Sequence, residues 1–201
     1  MADILTSFIN WGLGLVDSLG YMGIFLISFI GNAVILLPVP AYAVVIIAGG
    51  ILNPWLVGIF AGLGAAIGEL TGYGVGRGGG YMIEKKYKSL LKNTKRWSER
   101  HGMFPIVILF AATPLPDDIV GIICGVINYD IRKFLGANII GKIVSHSVLA
   151  WAGFYGSSLL GEWNMILFII ASFVFAIIVI KMVTADAKKP KAKTRSKRKK
   201  K

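Results

Sequence analysis

The sequence predicts an all-α polytopic membrane protein: two inverted repeats, each a re-entrant helical hairpin plus a transmembrane helix, followed by a final transmembrane helix. Three observations predict it. Apolar stretches such as Tyr21 to Leu37, Trp55 to Val75 and Trp163 to Ile180 have the length of bilayer helices, which need about 20 apolar residues to cross ~30 Å. Charge is confined to two patches, because ten of the 22 Lys and Arg residues lie between Lys188 and Lys201 and seven between Lys85 and Arg100. A soluble domain intersperses charge over about a quarter of its residues, whereas 16% are charged here and 55% are apolar, so a soluble globular protein is excluded. The third observation is an internal repeat built around paired prolines.

The elements follow in order. Residues 1–20 place Ile4, Leu5, Phe8, Trp11, Leu15 and Leu19 at helical spacing among Asn10, Asp17 and Ser18. That pattern reads as an interfacial amphipathic helix in preference to a short span. The first basic residue is Arg77 and Asp3 is acidic, so a cleaved signal peptide, which needs a positive start, is not expected.

The membrane domain is assigned to residues 21–184. Pro38-Val39-Pro40 through Ile51 aligns without gaps on Pro114-Leu115-Pro116 through Ile127, matching both prolines, Val44, Ile46, Ile47, Gly49 and Ile51. Pro38, Pro40, Pro114 and Pro116 break their helices, since proline removes a hydrogen bond and disfavours helical geometry in the residue before it. The arms around each break, such as Ala41 to Leu52 and Phe104 to Thr113, have the length of re-entrant segments. Repeat 1 therefore occupies 21–76, a basic loop 77–103, repeat 2 104–157, a last span 163–183 and a basic disordered tail 185–201. One crossing per repeat inverts the second copy, the arrangement in which transporters hold a site near the midplane. It also puts the basic loop and the C-terminal tail on one side, the cytoplasm, as the positive-inside rule requires.

Candidate site residues are the ionisable groups at membrane depth, which are costly there and mark pathways. Asp117 and Asp118 fall at the tip of the second hairpin, where one of them is expected to cap the helix beginning near Ile119 and the other to serve the pathway. Lys142 lies about 17 Å along the span that starts at Ile131. Asn138, Lys142 and His146 share one ridge of that helix, and Glu69, Tyr73 and Arg77 share one on the first span. A structural ion pair of Lys142 with Asp117 or Asp118 is the alternative to a pathway role, and Arg77 reads most simply as an interfacial anchor or headgroup contact. A one-residue shift of the repeat brings Glu69 opposite His146. Gly64, Gly68, Gly72, Gly76 and Gly80 follow the small-x3-small spacing of close helix packing.

Taken together, the hairpin, the span carrying Gly64-x3-Gly68-Glu69-x3-Tyr73-x2-Gly76-Arg77, the basic loop, the proline-bearing second hairpin ending in Gly125, and Phe134, Asn138, Gly141 and Trp151 resemble the DedA superfamily. This is the group also called the VTT or SNARE-associated Golgi protein domain, and the resemblance spans roughly Tyr21 to Gly161. It implies a lipid-handling membrane protein, since bacterial members are associated with polyprenyl-phosphate translocation and envelope proton balance, and eukaryotic relatives with phospholipid scrambling. The family's first hairpin usually carries an acid before and just after its prolines, where this chain has Asn32 and Ala41-Tyr42. Its second hairpin usually has arginines flanking the proline, where this chain has Ala111 and Asp117.

No enzyme is expected: there is no His-x3-His with an acid, no serine elbow and no Walker-type loop. Adjacent Asp117 and Asp118 on a new helix point about 100° apart, a poor catalytic dyad. Cys124, the single cysteine, allows no intramolecular disulfide and no Cys-type metal site; no metal and no cofactor are expected. The leading functional expectation is a lipid transporter or scramblase of the cell membrane, moving phospholipid or a polyprenyl-phosphate carrier between leaflets. The alternatives are a proton- or cation-coupled small-solute transporter and a non-transporting scaffold. Expected partners are membrane lipids, with anionic headgroups drawn to the basic loop and tail. Nucleic acid is not expected, because no aromatic interleaves the tail lysines, and a homo-oligomer is compatible with the pattern.

Overall fold

The computed structural model describes residues 2–34, 41–79, 102–113 and 117–159. Pro38, Pro40, Pro114 and Pro116, expected to break their helices, the basic stretch at 80–101, the expected last span at 163–183 and the tail lie outside the described residues. Among the described residues every regular element is a helix. They are α1 (Ala2–Leu19), α2 (Tyr21–Ala33), α3 (Ala41–Ile51), α4 (Pro54–Gly79), α5 (Phe104–Ala111), α6 (Asp118–Val126) and α7 (Ile131–Leu159). Two stretches, Pro54–Gly79 and Ile131–Gly156, are long and apolar enough to cross a bilayer. α2 and α3 are shorter apolar helices, as are α5 and α6.

Both long helices begin on a side-chain cap. Asn53 Oδ1 accepts from the N–H of Trp55 at 3.0 Å and of Leu56 at 3.4 Å, with Pro54 opening the helix. Asp130 Oδ1 accepts from the N–H of Arg132 at 2.9 Å and of Lys133 at 3.0 Å. These backbone bonds, Lys133 first, hold the Asp130 carboxyl below the usual aspartate range. Asn53 and Asp130 stand at matching places in the two repeats, but the turn before Asp130 is one residue longer. Asn128 takes up that residue in the left-handed region, φ 55°. The N–H of Tyr129 bonds Cys124 O at 2.9 Å and that of Asn128 bonds Gly125 O at 3.1 Å, the two bonds of a Schellman ending for α6.

Small residues set the packing, as expected where lipid gives helices no hydrophobic reason to associate. α4 and α7 cross antiparallel, with Gly58 against Ser147 and Gly62 against Ile143. The first arm of each hairpin runs parallel to the span of its own repeat: Gly64 abuts the Phe25 carbonyl and Phe29 N, and Gly141 abuts the Ile108 carbonyl and Ala112 N. The second arm of each hairpin packs instead on the other repeat's span. Gly49 of α3 meets the backbone of Ala150, and Gly153 of α7 meets Ile46. In the same register, Gly125 of α6 meets the Tyr73 carbonyl, and Gly76 of α4 meets Ile122. A span hydroxyl also closes each first arm, since Thr71 Oγ1 donates to Ala33 O at 2.9 Å and Ser145 Oγ to Ala111 O at 3.0 Å. The amphipathic α1 packs Val16 into the apolar core and Gly12 beside Val44 and Ile27.

Candidate functional site

Four of the polar side chains fully buried in this bundle lie on the spans: Glu69 on α4, and Asn138, Lys142 and His146 on α7. Glu69 stands about 22 Å from the start of α4 and Lys142 about 17 Å from the start of α7, taking 1.5 Å per residue. Because the two helices are antiparallel and each bilayer-length stretch has 26 residues, these positions fall level with each other near the middle of both helices.

Lys142 is the hub. Its Nζ lies 2.6 Å from Asp117 Oδ2 and 3.6 Å from Glu69 Oε2, and donates to Asn32 Oδ1 at 2.7 Å. Asn32 is oriented by its own Nδ2, which donates to Ser28 O at 2.9 Å. An ammonium has three N–H donors and no acceptor, so a ring of oxygen atoms is the environment that lets it be buried. Asp117 takes the N-cap position of α6 without making a side-chain cap bond; its carboxylate goes to Lys142 instead. Asp118 follows as the first residue of α6, and one carboxylate oxygen from each of Glu69, Asp117 and Asp118 lies within 4.8 Å of the others. Both Glu69 oxygens and Asn138 Oδ1 are buried without a hydrogen-bond partner among the described residues.

His146, one turn beyond Lys142, directs Nδ1 at the Lys142 carbonyl at 2.8 Å. A carbonyl only accepts, so Nδ1 carries a proton. The ring also lies 5.6 Å from that of Tyr42 on α3. Tyr42 and Asp118 occupy matching places in the repeated hairpins, as do His146 and Glu69 on the spans once Asn128 is counted as the added residue. Tyr42 against His146 is thus the counterpart of Asp118 beside Glu69, each pair joining the start of one repeat's second apolar helix to the long helix of the other repeat.

Sequence reasoning named Glu69, Asp117, Asp118 and Lys142, and the fold brings these four together. Asn138 and His146 share the buried ridge with Lys142. Arg77 does not join them, as it is exposed and donates to Tyr73 Oη at 3.0 Å, while Tyr73 Oη donates to Tyr129 O at 2.6 Å. Asn32 and Tyr42 were not named as site residues. The signal for them was their position, since each stands where the resembled family usually places an acid.

A family model described as VTT domain matches residues 39–155, more than half of the chain and every residue of the cluster except Asn32. No curated protein and no solved structure matches the chain. The all-helical bundle, its two bilayer-length helices and this match agree on one conclusion: the chain belongs to the VTT domain family, the membrane-associated DedA or SNARE-associated Golgi protein family.

Proposed function

We propose that the protein moves a lipid, phospholipid or polyprenyl-phosphate carrier, between the leaflets of the cell membrane, with the Lys142 cluster as the polar step at the middle of the path. The observation that carries this reading is the cluster itself: Asn32, Glu69, Asp117 and Lys142 come from both repeats and meet at mid-depth with bonding capacity left over. Charge in hydrocarbon costs at least ~2.5–3.5 kcal/mol per group on insertion scales, so a purely structural bundle has little reason to collect it there. In this reading the hairpins are re-entrant and the repeats inverted. The exchange of second arms between the repeats supports that, because α3 lies on α7 in the register in which α6 lies on α4. Asp117, Asp118, Glu69 and Lys142 hold and release the polar cargo, Asn138 and His146 line its route, and Arg77 meets headgroups at the cytoplasmic end. The basic loop and tail face the cytoplasm and gather anionic lipid.

A second reading, proton- or cation-coupled transport of a small solute, is favoured by the excess of acid: among the described residues three carboxyls face one ammonium. Reconstitution into liposomes separates the two. A fluorescent phospholipid should become accessible to an impermeant quencher faster than in empty liposomes, and Asp117→Asn should remove the acceleration. No acceleration by folded wild-type protein, together with a proton or cation flux seen by a pH- or cation-sensitive dye, would favour the second reading.

A further inference from the structure

Lys142 sits where an inorganic cation would. Its ammonium is fully buried in a shell of oxygens drawn from three places in the chain: Asn32 Oδ1 at 2.7 Å, Asp117 Oδ2 at 2.6 Å and Glu69 Oε2 at 3.6 Å. The lysine does not exhaust this shell. Among the described residues neither oxygen of Glu69, a side chain 1% exposed, accepts a hydrogen bond, the 3.6 Å approach of Lys142 to Oε2 being an ion pair only. The carboxylate oxygens of Glu69, Asp117 and Asp118 lie within 4.8 Å of one another. Oxygens on opposite sides of a calcium ion, each about 2.3–2.6 Å from it, stand roughly 4.6–5.2 Å apart; for magnesium, at about 2.0–2.1 Å, the figure is roughly 4.0–4.2 Å. The cluster is thus compact enough for its three carboxylates to reach one ion together, and a carboxylate-rich set supplied by the protein suits the larger ion, since magnesium usually keeps several waters and takes one or two carboxylates. Its chemistry is also that of a hard cation, three carboxylates and an amide oxygen with no sulfur or imidazole among them.

We propose that Asn32, Glu69, Asp117 and Asp118 form a binding site for a hard inorganic cation of about calcium's radius, Ca²⁺ or Na⁺. Lys142 fills this site as a tethered ammonium and leaves it when the cation enters. The lysine's four-carbon stem is flexible, so its head can withdraw while α7 stays in place. Occupancy is then a competition between the tethered ammonium and the entering ion for the same oxygens. This inference does not depend on lipid being the cargo, and its test reads no transport.

The test is the thermal midpoint of purified Lys142→Met protein in choline, sodium, potassium, magnesium and calcium chloride at matched ionic strength. Sodium or calcium should raise the midpoint saturably, by about 3–6 °C at ten times the half-saturating concentration, as mass action on the folded state requires. Choline and magnesium should not. The wild type should respond less, because its own ammonium competes, and Glu69→Gln added to Lys142→Met should abolish the response. A folded Lys142→Met protein that no cation stabilises beyond choline overturns the proposal. If that variant does not fold in any of the salts, the wild type decides: calcium or sodium must speed acetylation of Lys142, read by mass spectrometry, several-fold over choline, and unchanged acetylation overturns the proposal equally.

Discussion

Asn53 and Asp130 cap the two spans through matching pairs of N–H groups, and Gly49 and Gly125 let the two second arms reach the opposite spans at matching backbone positions. At the polar centre the correspondence stops. Glu69 in the first repeat answers to His146 in the second, Ala65 to Lys142, Ala41 to Asp117 and Tyr42 to Asp118. Backbone closeness and helix starts are demands the fold makes twice, so the same small or capping residue meets them twice. The centre is a single place reached from both sides, and there the repeats divide the chemistry unequally: the second supplies the ammonium of Lys142 with Asp117 and Asp118, the first Glu69 and Asn32.

The largest effects should come from breaking that division. Lys142→Met leaves buried carboxylates without a counter-charge, and Asp117→Asn leaves the ammonium without its nearest one; each should cost about 3–5 kcal/mol of stability. The Asp117→Asn, Lys142→Met double variant should cost clearly less than the sum, which thermal midpoints of the four proteins would reveal.

The shared architecture should show the opposite behaviour, with equal costs at matching places. Gly49→Val and Gly125→Val each drive a side chain into backbone of the opposing span, Ala150 in one case and Tyr73 in the other, and each should cost about 1–3 kcal/mol. Gly74, where an added Cβ meets nothing within 4 Å, should accept Ala with a change of at most about 0.5 kcal/mol. A large disparity between Gly49 and Gly125 in chemical denaturation would break the equivalence.

A smaller difference separates Tyr73 from its counterpart Ala150. Tyr73→Phe loses the bond to Tyr129 O and the acceptor of Arg77, at about 0.5–1.5 kcal/mol, and the second repeat has nothing corresponding to lose. The caps should differ least. Asn53→Ala should cost about 0.5–2 kcal/mol at any pH. The Asp130 cap acts through a carboxyl whose folded-state pKa is lowered. Its contribution is therefore fully present above the unfolded aspartate pKa and lost as pH falls through the lower folded value. Thermal midpoints measured from neutral to acid pH should show the Asp130→Ala deficit vanish while the Asn53→Ala deficit persists.

Much of this was legible because it is local. Proline spacing, the length of apolar runs and caps within three residues of a helix start are all read along the chain, and the described helices α2 to α7 lie within a few residues of where those signals put them. Lys142 was legible for a related reason, since an ammonium so far along a span needs a partner wherever the chain folds. Asn32 was not, because an amide near the end of an apolar arm is an ordinary residue until a lysine 110 positions away reaches it. Tyr42 reads as one more aromatic until α3 is laid on α7. The match of Glu69 with His146 was blurred by one residue, and only the left-handed turn at Asn128 explains the slip. The expectation that one of the two aspartates caps α6 assigned a local role without choosing between them, whereas Asp117 at the N-cap position makes no cap bond and its carboxylate makes the long-range one.

The central claim is that the two repeats enter the membrane from opposite sides and enclose one site. Single cysteines at Leu19, Trp55, Gly78, Phe104 and Arg132 test it most directly, each labelled in sealed cells or inverted vesicles with an impermeant maleimide. The native Cys124 is fully buried and does not compete. Leu19 and Trp55 flank the first hairpin, and Phe104 and Arg132 flank the second. The account predicts that Leu19→Cys and Trp55→Cys label only from outside, and that Gly78→Cys, Phe104→Cys and Arg132→Cys label only from the cytoplasm. Labelling of Trp55→Cys and Arg132→Cys from the same face, or of either hairpin's two flanks from opposite faces, would contradict it.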